Sequence, residues 1–136
     1  MKNIVLILFL FSNVFVFGAD DWKTYFKNSE VEILYRYSDC HDVPNGLHQQ
    51  KLLLKFVNAQ NKKVEVFYKK ELTFSTTSEA APDVRLFSVV LDPGATVEGT
   101  CDVKDNRLFI FSKQLNFKST YLKHFELKDI SVKQIQ

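Results

Sequence analysis

Hydrophobic and polar positions alternate with a period of two along most of this chain. Val31, Ile33, Tyr35 and Tyr37 alternate with Glu32, Leu34 and Arg36; Leu52, Leu54 and Phe56 alternate with Lys51 and Lys55; Val64, Val66 and Tyr68 alternate with Glu65, Phe67 and Lys69. Successive side chains of a strand point to opposite faces, so this pattern predicts half-buried β-strands. Seven are expected, over residues 31–37, 49–57, 64–74, 85–91, 96–101, 107–115 and 125–132. Turn chemistry separates them: Asp39, Asp42, Pro44 and Asn45-Gly46 interrupt the pattern between Ser38 and Leu47, and Asp92-Pro93-Gly94 and Asp105-Asn106 mark later turns. The strands at 49–57 and 64–74 read as an antiparallel hairpin with a five-residue loop. Trp22 and Phe26, four residues apart behind Asp20-Asp21, read instead as one face of a short capped helical turn. No segment holds a 3.6-residue apolar period long enough for a βαβ unit. The pattern therefore predicts an all-β fold, an antiparallel sandwich of about seven strands, with a small closed barrel as the alternative.

The first residues follow a different rule. Lys2 precedes an apolar run from Ile4 to Gly18 broken only by Ser12 and Asn13, and small residues end it at Gly18-Ala19. A basic start, a short apolar centre and a small-residue end make a secretory signal, whereas a spanning helix needs about 20 apolar residues. Residues 1–19 are expected to be a signal peptide and residues 20–136 a single domain, secreted or periplasmic, with no stable membrane span after cleavage. The two cysteines sharpen this picture. In an exported chain an even count is expected to pair, so Cys40 and Cys101 are read as one disulfide. A redox dithiol would more naturally show a Cys-x-x-Cys spacing, and the chain has none.

Charge removes a class of partners. The sequence carries 18 Lys and Arg against 16 Asp and Glu, interspersed along its length, with Lys62-Lys63 and Lys69-Lys70 as the doublets. Nucleic-acid proteins concentrate basic charge on one face, so no nucleic-acid partner is expected. The absence of an Asn-x-Ser/Thr sequon fits a bacterial exported protein.

The segment Leu52-Leu53-Leu54-Lys55-Phe56-Val57-Asn58, the answering Val64-Glu65-Val66 and the later Leu91-Asp92-Pro93-Gly94-Ala95 resemble immunoglobulin-like β-sandwich modules of exported bacterial proteins. In such modules a strand ending in Asn meets a hairpin and a Pro-Gly turn introduces the next strand. The chain is also similar in type to small secreted single-domain proteins of Gram-negative bacteria. Trp22 precedes Cys40, so it is not the core tryptophan that antibody domains place between their cysteines. The resemblance implies a sandwich and brings no catalytic residues with it.

The chemistry offered by the sequence is sparse. There is no Gly-x-Ser-x-Gly, no His-Glu-x-x-His, no glycine-rich phosphate loop and no EF-hand spacing. One constellation stands out: a Cys40–Cys101 bond would gather Asp39, His41, Asp42 and Asp102, carboxylates and an imidazole able to ligate a cation or move a proton. Turn formation and solvation explain the same residues more simply, and His48 and His124 stand isolated in sequence. The expectation is a non-enzymatic exported binding module without a cofactor, meeting a protein or glycan through exposed Tyr35, Tyr37, Phe67 and Phe109. Two other classes remain in view: an envelope assembly protein that shares an edge strand, and a small metal-dependent enzyme built around His41.

Overall fold

In the computed structural model, residues 21–76, 81–82 and 85–136 are described. The segment read as a signal peptide and part of the loop after Ser75 lie outside the described residues. The strands are β1 (Lys23–Lys27), β2 (Val31–Asp42), β3 (Leu47–Asn58), β4 (Val64–Phe74), β5 (Ala81–Pro82), β6 (Phe87–Leu91), β7 (Thr96–Glu98), β8 (Phe109–Gln114) and β9 (Leu122–Gln134).

They form two antiparallel sheets rather than a closed barrel. In the first, β2 lies between β1 and β3, while β7 and β8 share the far edge of β3. In the second, β4 is central, with β9 along one edge and β5 and β6 along the other. The alternation read from sequence sets the core between them. Val31, Ile33, Leu52, Leu54 and Phe56 from the first sheet and Val64, Val66, Tyr68 and Leu91 from the second are completely buried. Tyr25 stitches the two layers: its hydroxyl accepts the Leu127 N–H at 2.9 Å and donates to the Leu127 carbonyl at 3.3 Å.

Three local expectations are corrected. Residues 23–27 form a strand, not a helical turn. Pairing with β2 satisfies their backbone groups, which an isolated turn of this length would leave to water. Trp22 instead lies flat on the sheet's outer face, with the Arg36 guanidinium 4.7 Å and the Lys55 ammonium 5.3 Å from its ring centre.

Secondly, β3 and β4 are not a hairpin. Each belongs to a different sheet, and residues 59–63 carry the chain across the core. The corner is built around Asn58, which is 2% exposed. Its side-chain NH2 reaches the carbonyls of Lys62 (2.7 Å), Asp92 (3.0 Å) and Leu91 (3.3 Å), and its oxygen accepts the Gln60 N–H at 2.9 Å. A side chain that satisfies turn backbone so fully takes the place of the ladder a hairpin would supply.

Thirdly, the predicted loop from Ser38 to Leu47 is ladder almost to its tip. Pairing of β2 with β3 runs unbroken to Asp42 opposite Leu47, and only a single 3-10 turn, Val43–Asn45, and Gly46 at φ 65° close the hairpin. The turn residues act at the last four positions, where Gly46 supplies the left-handed backbone the reversal requires.

Between β7 and β8 the chain leaves the sheet edge and crosses its outer face. The excursion starts at Gly99, whose N–H bonds the Leu54 carbonyl at 2.8 Å, and returns at Leu108, whose carbonyl accepts the Leu54 N–H at 2.9 Å. A Cβ on Gly99 would fall 2.2 Å from the Leu108 carbonyl oxygen, so only glycine permits the two crossings of this excursion to lie so close. Arg107 closes on Asp105 at 2.6 Å and also donates to the Ser88 carbonyl on β6 at 3.2 Å. The Tyr68 hydroxyl donates to the Arg107 carbonyl, and burial pushes its phenol pKa far up. Lys70, buried on β4, donates to the carbonyls of Asn106 and Phe109.

Candidate functional site

The region that gathers the chain's polar chemistry is the end of the sandwich formed by the tip of the β2–β3 hairpin. Strand alternation divides its side chains between two faces. Cys40 lies on the outer face with Arg36 and Ser38, while Asp39 and His41 share the parity of Val31 and Ile33, the core-forming side.

On the outer face the disulfide is formed. Cys40 and Cys101 are joined, with their Cα atoms 5.3 Å apart and the residues 61 positions apart in sequence. It ties β2 to the excursion across the same sheet. Lys51 reaches the Cys101 carbonyl at 3.4 Å and lies 4.6 Å from the centre of the Phe109 ring. Beside the bond is an open groove of about 340 Å³ whose walls include Asp42, Asp102, Lys51 and Lys104, carboxylates answered by ammonium groups.

Of the four residues singled out in sequence, His41, Asp42 and Asp102 line this groove and Asp39 does not. Asp39 accepts a hydrogen bond from Gln50 at 3.3 Å, and Gln50 in turn accepts one from the Ser112 hydroxyl at 3.0 Å. Asp42 is engaged within the turn, accepting from the Asn45 amide at 2.8 Å. Among the described residues no group of three or more His, Cys, Asp or Glu side chains is close enough to hold a metal ion.

The close partner of His41 is one that linear sequence hid. His48 stands directly opposite it in the ladder, and the two Nδ1 atoms are 2.8 Å apart, so one ring donates and the other accepts. The ring centres are 5.1 Å apart. The pairing follows from a four-residue loop at 43–46, which sets 41 opposite 48; a two-residue turn at Asn45-Gly46 would have set 41 opposite Gln50. His124 lies elsewhere, on β9, 3.2 Å from Glu126.

Above these polar groups the same end exposes large apolar side chains. Val43 is 72% and Leu47 46% exposed on the hairpin, and Phe117 59% and Tyr121 48% on the loop between β8 and β9; Tyr37, 48% exposed, lies back along β2 opposite Leu52. The two loops are neighbours because β8 pairs with β3 as far as Gln49 opposite Gln114, and the Leu115 N–H then bonds the His48 carbonyl at 2.9 Å. Of the four aromatic contacts expected from sequence, only Tyr37 is exposed. Tyr35 packs on Phe125 with ring centres 5.2 Å apart, Phe109 lies under Lys51, and Phe67 is half-buried on β4. Burial, and then the neighbouring Tyr35, raise the Tyr37 phenol pKa. Comparison with protein-family profiles, with curated proteins and with solved structures finds no match to this chain.

Proposed function

We propose that the protein is an exported, non-enzymatic binding module that meets a protein partner through the end of the sandwich formed by the β2–β3 hairpin and the β8–β9 loop. The observation that carries this reading is the exposure of Val43, Leu47, Phe117 and Tyr121 on two adjoining loops. Grouped apolar side chains that a fold does not bury are disfavoured in water unless another surface covers them. Aliphatic Val43 and Leu47 beside the two aromatics suit a protein surface better than a sugar, which stacks on flat rings and needs polar groups around them. A non-enzymatic role fits the chemistry here: both sulfur atoms are spent in the disulfide, and His41 and His48 bond one another rather than a hydroxyl nucleophile. Export fits the disulfide and the apolar start of the chain.

An edge-strand assembly role is less well supported. The Ser88 carbonyl of β6 is occupied by Arg107, and β9, the opposite edge of that sheet, carries alternating charges and an irregular step at Asp129, at φ 53°. A photo-reactive amino acid placed at Phe117 in the native host tests the reading, with the same group at Glu65 on the face of β4 as the control. A defined protein cross-linked from position 117 and not from 65 is expected. Equal labelling from both positions, or recovery only of glycan, would count against it. N-terminal sequencing of the exported form should begin at Ala19 or Asp20.

A further inference from the structure

The two histidines at the hairpin tip are an independent feature, unused by the binding surface just described. Metal–nitrogen bonds are about 2.0 to 2.1 Å long, so two nitrogens bound at a right angle lie about 2.8 to 3.0 Å apart, and two bound at the tetrahedral angle about 3.3 to 3.4 Å apart. The Nδ1 atoms of His41 and His48 are 2.8 Å apart. We propose that His41 and His48 chelate one divalent d-block cation through their Nδ1 atoms, with the right-angled bite of Cu2+ or Ni2+ preferred over the tetrahedral one of Zn2+.

The backbone holds the bite in place. His41 follows Cys40, which the disulfide fixes to the excursion, and the His48 carbonyl is held by Leu115. Directly opposed residues in an unbroken antiparallel ladder cannot slide past one another without shifting every pair down to Val31 opposite Asn58. The ladder fixes the two backbones, so an ion requires only that the rings turn from aiming Nδ1 at Nδ1 to aiming both at the metal. His41 is exposed and His48 half-buried beside it, so the ion has a path in from the His41 side and keeps positions open for water or for an atom of a partner.

Proton accounting is simple. In the free pair one ring carries its proton on Nδ1 and gives it to the other in the hydrogen bond. On metal binding that ring holds its proton on Nε2 instead, so both Nδ1 lone pairs are available and both rings stay neutral. Asp39, two ladder pairs along and so on the same face, adds negative charge without entering the coordination sphere.

The test uses the mature, disulfide-bonded protein without an affinity tag, titrated calorimetrically with Cu2+, Ni2+ and Zn2+ separately. One equivalent of Cu2+ is expected, with Ni2+ next, and His41→Gln or His48→Gln should each weaken Cu2+ binding by roughly tenfold or more while leaving the circular dichroism spectrum unchanged. His124→Gln should leave the affinity as it is. The Cu2+ complex should show electron paramagnetic couplings to two imidazole nitrogens in the wild type and to one in either single variant. No binding, affinity unaltered by both single variants, loss on His124→Gln, or tighter Zn2+ than Cu2+ binding would each overturn the assignment.

Discussion

The two ends of this sandwich are closed by opposite means. At the corner end, the loops 59–63 and 92–95 lock onto each other through one buried amide: Asn58 binds carbonyls from both, and the Gly94 N–H reaches the Gln60 carbonyl at 2.9 Å. At the hairpin end, among the described residues, no hydrogen-bonding side chain of comparable burial reaches between loops. A covalent bond from Cys40 to Cys101 braces the hairpin from outside, and the apolar side chains at its tip face water. At the corner end the loop carbonyls bound by Asn58 are satisfied internally, and the surface beside them is a groove lined by Asn61, Lys62, Lys63 and Gln134. An end held by a cross-link can spend its side chains on contact, since its order does not depend on burying them.

Breaking the cross-link is the largest perturbation. A Cys40→Ser, Cys101→Ser variant should lose about 4 kcal/mol of unfolding free energy, the chain-entropy value for a loop of this length. Hydrogen exchange should show the greatest loss of protection between 38 and 50. Loss spread evenly, or of less than about 1 kcal/mol, would mean that pairing with β8 alone holds the tip.

Removing the corner amide comes next. Asn58→Ala leaves buried carbonyls of Leu91 and Asp92 without their donor and should cost about 3 kcal/mol in chemical denaturation. Its effect should be global rather than confined to the corner, because β3 and β4 are the central strands of their sheets. A cost below about 1 kcal/mol would remove the contrast between the two ends.

The smallest expected effect is electrostatic and belongs to neither end. The Arg107 guanidinium bonded to Asp105, helped by nearby Lys70, holds the Asp105 carboxyl below its ordinary value, against a smaller opposing contribution from burial. A carboxyl with a lowered pKa in the folded state adds stability that is complete above its unfolded pKa, near 3.8, and is lost as pH falls through the folded value. Asp105→Asn should therefore be slightly less stable than wild type at pH 7 and indistinguishable from it in strong acid. The pair is partly exposed, so solvent screening keeps the difference small. A gap that widened on acidification would reverse the sign and contradict the pairing.

Much of the fold was legible because alternation and burial obey one rule. Val31 and Ile33, Leu52 to Phe56 by twos, and Val64 to Tyr68 by twos all form the core that their spacing predicts. What failed did so where tertiary contacts decide. Leu53 occupies an outward position yet is completely buried, because Arg36 and Phe109 flank it in the ladder and the excursion to Cys101 crosses that face. Trp22 and Phe26 have helical spacing but lie at an edge where β2 offers a ladder. Nothing local in residues 58–64 says that the chain changes sheets. The disulfide was legible from count and context. The histidine pair was hidden because register, not sequence distance, brings residues together, and of the acids around Cys40 alternation sends Asp39 and Asp42 to opposite faces.

The contrast between a closed end and an offered end is tested most directly by a Val43→Ser, Leu47→Ser, Phe117→Ser, Tyr121→Ser variant, measured for thermal unfolding and for retention of the partner cross-linked from position 117. Exposed positions contribute little to folding, so the melting temperature is expected to stay within about 4 °C of wild type, while partner retention is lost. A variant that melts far below wild type, or one that holds the partner as well as wild type does, would show that these side chains serve the fold rather than a contact.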